Sequence, residues 1–132
     1  MDRINIPIND EGDIVRARQI GRQMAKEFGF ITIDQALIAT AISELTRNIL
    51  TYAKKGNLLL ELIYLHRKEG ILVISKDNGP GIGNIELALQ DGYSTTQSLG
   101  LGLPGVRRLM DEFDIQSELG KGTTVTARKW RC

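Results

Sequence analysis

Apolar residues change their spacing several times along this chain, and each change marks an element. In RINIPI, Ile4, Ile6 and Ile8 alternate with other residues, the period-two pattern of a half-buried strand. Pro7 lies within that run and suggests a sheet edge. From Glu11 to Phe28, Ile14, Val15, Ile20, Met24 and Phe28 recur near helical spacing, and Gly29 supplies a stop. A second helix is expected from Thr32, with Thr32 and Gln35 spaced as a capping box, to the residues before Gly56. NLLLELIYLH and GILVISKD are short, apolar and partly β-branched, so they read as a hairpin around the charged turn RKEG. DNGPGIG is dense in turn formers. A short helix around Ile85 to Gln90 is expected next, then the polar segment DGYSTTQS. LPGVRRLMDEF places Val106, Leu109, Met110 and Phe113 on one helical face. DIQSEL, the turn Gly120-Lys121-Gly122 and TTVTARKW form a second hairpin. Early helices and paired hairpins indicate an α+β fold: a two-layer α/β sandwich, with one mixed, mostly antiparallel sheet and helices on one face.

Composition narrows the class. The 132 residues suit one compact domain, 1–132, able to bury roughly two-thirds of its unfolded surface without disulfides. The single cysteine, Cys132, excludes an intrachain disulfide and a multi-cysteine metal site. Seventeen basic and sixteen acidic residues leave a charge of +1, so no global field draws nucleic acid or an anionic membrane. No apolar run of about 18 residues and no signal-like start occurs, so a soluble cytoplasmic protein is expected. His66 reads as a strand-end surface residue and Trp130 as core or edge packing. Arg107 with Asp111 and Arg108 with Glu112 have the spacing of helix-surface ion pairs.

Three segments carry candidate chemistry. SLGLGLPGV contains G-x-G-x-x-G at Gly100, Gly102 and Gly105. A dinucleotide fingerprint should follow a strand, but the residues before Gly100 are polar and turn-like. A protein-kinase glycine loop needs a downstream V-A-I-K strand, H-R-D and D-F-G, which are absent. LGKGTT fails the Walker pattern because Gly122 follows Lys121. What remains is a glycine-rich turn opening a helix, with Pro104 in its first turn: an anion site or an ordinary helix entry. Asp77 ends an apolar strand before Gly79, Gly81 and Gly83; it can accept from an exocyclic amine, or simply make a turn. Glu44 and Asn48 stand four apart on the second helix, as a surface pair or as a base and a metal ligand.

SELTRNIL, DNGPGIG, GLGLPG and GKGTTVT resemble, in that order, the N, G1, G2 and G3 elements of the GHKL (Bergerat-fold) ATPase and kinase superfamily. DIVRARQIGRQMAKEFGF through SELTRNILTYA, with GLPGVRRLMDEFDI, is similar to its anti-sigma-factor-type serine/threonine kinases, the stressosome switch kinases in particular. The resemblance implies an ATP- and Mg²⁺-dependent kinase. Such kinases phosphorylate STAS-domain scaffold and antagonist proteins, then bind and activate a downstream partner such as a phosphatase. It implies Glu44 as general base, Asn48 as Mg²⁺ ligand, and Asp77 as acceptor for the adenine amine. It also implies Gly79, Gly81 and Gly83 beside the base, Gly100, Leu101, Gly102 and Leu103 as phosphate donors, and Thr123 as the supporting hydroxyl. The ATP lid falls on Gly92 to Leu99. Two departures stand out. Tyr52 replaces the histidine usual four residues after the asparagine, and Gly92 to Val106 holds no Lys or Arg. Arg47 is the nearest cation in sequence, about 100° from Asn48 on an ideal helix, and reads as solvated or partner-facing. Two other classes remain open: a non-catalytic, nucleotide-dependent binding regulator, and a gyrase- or chaperone-like ATPase. A transducer domain, which the latter needs, is not expected here.

Overall fold

A computed structural model of the chain describes residues 3–83 and 102–131. In chain order these residues form β1 (Arg3–Ile8), α1 (Glu11–Glu27), α2 (Thr32–Asn48) and a π-helical turn (Ile49–Ala53). β2 (Gly56–Leu65), β3 (Lys68–Asp77), α3 (Gly102–Leu109), β4 (Glu112–Glu118) and β5 (Gly122–Trp130) follow. The helix expected at Ile85 to Gln90 and the lid at Gly92 to Leu99 lie outside the described residues.

Among the described residues, five strands form one sheet in the order β1-β2-β3-β5-β4. Every pairing among these strands is antiparallel, as the mostly antiparallel sheet expected from the sequence requires, and none of them is parallel. β1 is an edge strand, as Pro7 implied. The core forms on one face, where Ile6, Leu58, Val73 and Ala127 from the strands meet Ile38, Ile42 and Leu45 from α2. Val106 and Met110 extend it at the end of α3.

α1 begins with a reciprocal cap that sequence spacing did not single out. Asp10 Oδ1 accepts from the Asp13 N–H at 3.1 Å. Asp13 Oδ2 accepts in return from Asp10 N–H at 3.3 Å and from Asn9 N–H at 2.8 Å. The Asn9 N–H, more than any other group, holds the Asp13 carboxyl below the usual aspartate range, with Arg16 assisting. Val15, expected on the apolar face, is 41% exposed. The helix instead buries Ile14, Ala17, Gly21 and Ala25. Small side chains let α1 approach α2 closely: a Cβ on Gly21 would overlap Ile42 Cδ1. Gly29, with φ of +90°, then turns the chain.

The cap expected at Thr32 is not made. Ile31 is the N-cap of α2 and has no side-chain bond, while Gln35 Nε2 donates to the Phe30 carbonyl at 2.8 Å. The β2–β3 turn is tighter than RKEG, because Leu65 pairs with Lys68 and only His66 and Arg67 lie between. Both have positive φ, 52° and 63°, as a twisted two-residue hairpin requires. His66 is exposed there. α3 ends at Leu109, so Phe113 belongs to β4 and not to a helical face. Asp111 and Glu112 therefore pair across the sheet edge rather than back along a helix. Lys129 Nζ meets Asp111 Oδ1 at 3.4 Å, Arg128 Nη1 meets Glu112 Oε1 at 3.5 Å, and Trp130 Nε1 donates to Glu112. Among the described residues, no helix is long and apolar enough to cross a membrane.

Candidate functional site

One rung of the sheet organises the site. Ile8 pairs with Gly56, Gly56 with Asp77, Asp77 with Thr123, and Thr123 with Ser117. Directly opposed residues share a face. Val73 and Ser75 precede Asp77 at alternate positions and are buried, so this rung lies on the helix-covered face, at its open end. Asp77 and Thr123, 46 positions apart in sequence, are thus neighbours on adjacent strands.

Asp77 Oδ1 accepts from the Gly79 N–H at 2.8 Å, which turns the chain sharply out of β3. Among the described residues, its Oδ2 has no hydrogen bond and remains an acceptor for an incoming amine. The loop beyond is fixed by close backbone approaches. A Cβ on Gly79 would stand 2.6 Å from Ala53 Cβ, and one on Gly81 would overlap the Glu118 carbonyl oxygen. Gly81 also has φ of +75°. On β5, Gly122 has φ of +116°, and a Cβ there would overlap the Asp77 carbonyl oxygen. The bare backbone at Gly79 and Gly81 therefore admits the chain itself. Gly83 is different, since a Cβ would make ordinary contact with Leu119 at 3.5 Å. The Gly120 N–H donates to the Pro80 carbonyl at 2.8 Å and the Ile82 N–H to Ser117 Oγ at 2.7 Å, docking this loop on the β4–β5 hairpin. Ser117 escaped the sequence reading. Its signal was the hairpin register around Gly120, which sets it opposite Thr123.

The helical side supplies the other half. Glu44 is 2% exposed, although it is a carboxylate on a helix. Its Oε2 accepts from the Gly102 N–H at 3.3 Å, and its Oε1 meets Arg47 Nη1 at 3.3 Å. Arg47, expected to be solvated or partner-facing, instead reaches back along α2 to Glu44, with its side chain 41% exposed. Asn48 lies one turn beyond Glu44 on the same helical face, half-buried. There α2 passes into the π-helical turn, a departure from α geometry common at functional sites. That turn places Ile49 against Gly56 and Ala53 against Gly79, joining the end of α2 to the Asp77 loop. Leu103 is half-buried in the first turn of α3, packed on the core. Gly100 and Leu101 lie outside the described residues.

The end of α2, with Glu44 against Gly102 and Asn48 one turn on, thus leads through the π-helical turn to the end of the sheet that carries Asp77 and Thr123. The chemistry of these residues suits an adenine nucleotide: a free carboxylate oxygen, a hydroxyl, a helix start and a buried carboxylate against it. Asn48 offers an amide oxygen of the kind Mg²⁺ takes beside phosphates. A separate cleft of about 490 Å³ borders Asp77 from the sheet edge, lined by Asn9, Lys55, Asn57 and Lys76 among others. Lys76 and Asn57 face the opposite side of the sheet, so this cleft is not where the site residues converge.

Residues 33–131 match the family described as histidine kinase-, DNA gyrase B- and HSP90-like ATPases. The serine/threonine-protein kinase RsbT of Bacillus subtilis (strain 168) is 53% identical over 129 residues, covering 98% of this chain and 97% of that protein. The anti-sigma F factor of Caldanaerobacter subterraneus subsp. tengcongensis is 35% identical over 106 residues, 75% of this chain and 73% of that one. Among solved structures, the RsbU and RsbW domains of a Mycobacterium tuberculosis protein superpose with a TM-score of 0.64 at 19% identity. That match covers 100% of this chain and 33% of the other. The mycobacterial sensor histidine kinase MprB follows with a TM-score of 0.58 at 15% identity, over 97% of this chain and 98% of that one. At these identities the structures speak for the fold: an antiparallel sheet with helices on one face.

Proposed function

The chain belongs to the histidine kinase-, DNA gyrase B- and HSP90-like ATPase family and is an ATP-using serine/threonine protein kinase, and we propose that its substrates are STAS-domain proteins of a bacterial stressosome. In this reading the chain, as one domain in the cytoplasm, phosphorylates a scaffold or antagonist. It then leaves and activates a downstream signalling enzyme such as a phosphatase. The observation that carries the reading is the meeting of Glu44 with Gly102 N–H, 58 residues apart in sequence. A buried carboxylate is held against the helix start that would receive phosphates.

Asp77 Oδ2 and Thr123 receive adenine, and the N–H groups at Gly100 to Leu103 receive the phosphates. Asn48 is the side chain that would hold Mg²⁺, which when bound neutralises charge on the phosphate oxygens. Phosphate entering at Gly102 competes with Glu44 Oε2 for that N–H, while Arg47 keeps its hold on Oε1. Glu44 takes the proton from the serine or threonine hydroxyl as its oxygen bonds to the γ-phosphorus. The bond to the β-phosphate oxygen breaks and ADP departs. Positioning supplies most of the rate, since the transition state is largely dissociative.

A second reading, a nucleotide-dependent binding regulator without transfer, draws on the engagement of Glu44 by both Arg47 and Gly102. Glu44→Gln separates the two. Incubation of a cognate STAS-domain protein with [γ-³²P]ATP should give phosphoserine or phosphothreonine. Glu44→Gln should lower that rate roughly 10²- to 10⁴-fold while ATP binding and partner capture persist. No labelled STAS protein with wild type would sink the proposed substrate, and undiminished labelling with Glu44→Gln would remove the base from Glu44.

A further inference from the structure

Ser117 on β4 lies outside the motifs and carries three polar contacts from two separate segments. The Ile82 N–H donates to its Oγ at 2.7 Å, Thr123 Oγ1 lies 2.8 Å away, and the Gly122 carbonyl oxygen 3.1 Å away. A serine hydroxyl has one proton and two lone pairs. The Gly122 carbonyl only accepts, so it takes the Ser117 proton. The contact with Thr123 is then a hydrogen bond only if Thr123 donates. That assignment fills the capacity of Ser117, with two bonds accepted and one donated.

It also sets the polarity of Thr123. With its proton on Ser117, Thr123 Oγ1 offers only lone pairs to a group entering beside Asp77, whose carboxylate likewise only accepts. The same Ser117 oxygen anchors Ile82, and with it the loop from Gly79 to Gly83. We propose that Ser117 is a positioning residue that turns this end of the sheet into an all-acceptor edge, selecting a base with an exocyclic amine over one with a carbonyl there. The inference rests on the reading that Asp77 and Thr123 face adenine. Inosine triphosphate carries a carbonyl where ATP carries its amine, so in wild type that carbonyl meets lone pairs; its N1–H, a donor where ATP has an acceptor, makes the change on substitution, and not the wild-type ratio of affinities, the quantity to read. Removing the Ser117 oxygen releases the Thr123 proton to turn toward that carbonyl.

The test is calorimetric binding of ATP and of inosine triphosphate, each with Mg²⁺, to wild type, Ser117→Ala, Ser117→Cys, Ser117→Thr and Asp77→Asn. Ser117→Ala should weaken ATP about tenfold, the worth of one well-placed hydrogen bond, and change inosine triphosphate by less than about threefold. Ser117→Thr keeps the hydroxyl and should restore ATP binding to within about threefold. Ser117→Cys keeps the volume with a poor hydrogen-bonding atom, should follow Ser117→Ala, and stands in for it if the alanine variant does not fold. Equal weakening of both nucleotides would overturn the proposal, since a merely structural serine behaves that way. So would unchanged ATP binding in Ser117→Ala. Unchanged ATP binding in Asp77→Asn would instead remove the adenine reading itself, and the inference with it.

Discussion

Gly81→Ala tests whether the loop after β3 is held by close backbone contact before any nucleotide arrives. Gly81 has φ of +75°, which costs an L-residue about 1–2 kcal/mol. The new Cβ would also overlap the backbone carbonyl of Glu118, which has no rotamer by which to yield. The loop must therefore lift from the β4–β5 hairpin. Lifting breaks the bonds from Gly120 N–H to Pro80 and from Ile82 N–H to Ser117, each worth about 1 kcal/mol net. The loop lies beyond the end of β3, so it detaches without opening the sheet. In the variant the undocked loop is then favoured by about 2–3 kcal/mol, because the strain and overlap relieved on lifting outweigh the two bonds given up.

A ligand that needs the docked loop must restore it. ATP affinity should fall about 30- to 150-fold, following 1.4 kcal/mol per factor of ten. Cooperative thermal unfolding should persist, with a fall in Tm of no more than about 10 °C. Gly83→Ala is the internal control. Its Cβ would make ordinary contact with Leu119 at 3.5 Å, so ATP affinity should stay within about threefold of wild type. Calorimetric titration with ATP and Mg²⁺, beside melting curves, reads both variants. Wild-type affinity in Gly81→Ala, or equal loss in both variants, would refute the reasoning.

Two further expectations concern stability. Gly21→Ala gains about 1 kcal/mol of helix propensity but overpacks Ile42 by about 1–3 kcal/mol, so alone it should destabilise slightly; in an Ile42→Val background, which removes the overlapped Cδ1, it should stabilise by about 1 kcal/mol, read by urea unfolding at constant slope. Asp13→Asn should lower Tm at neutral pH: the folded carboxyl sits below its unfolded value, so its contribution is present above the ordinary aspartate range and is lost as pH falls through the lowered value, and the gap to wild type should close over that window in pH-dependent melts.

The layered architecture was legible because it follows from periodicity. Alternation in β1 and the two hairpins sets which side chains face the helices, and the edge position of β1 follows from Pro7. Where the reading went astray, the missing quantity was size or distance rather than polarity. Val15 is apolar but exposed, because α1 approaches α2 through Ala17, Gly21 and Ala25, whose value lies in their smallness. Phe113 fits a helical spacing after Val106 and Met110, yet α3 stops at Leu109 and hands Phe113 to β4. Asp10 and Asp13 cap α1 with two aspartates rather than the S/T-x-x-E/Q pattern, and so escaped notice.

The site was legible to a different degree. Glu44 and Asn48 were visible as an i,i+4 pair, and Asp77 as a strand-end carboxylate. Their convergence with Gly102 and Thr123 depends on chain pairings that no local pattern contains. Ser117 was invisible for the same reason, since a hydroxyl acquires a role only when Ile82, Gly122 and Thr123 surround it. The glycines carry the sharper lesson. Gly79 and Gly81 look like clearance for a ligand, yet each, like Gly122 in the β4–β5 turn, is required by a neighbouring stretch of this chain: Ala53, Glu118 and Asp77 respectively. They hold the Asp77 loop between the end of α2 and the β4–β5 hairpin. A nucleotide would therefore meet an acceptor whose position three backbone approaches have already determined, which lowers the ordering cost of binding. The glycine pattern then reflects packing first and recognition through it, and a substitution at any of the three should damage both together.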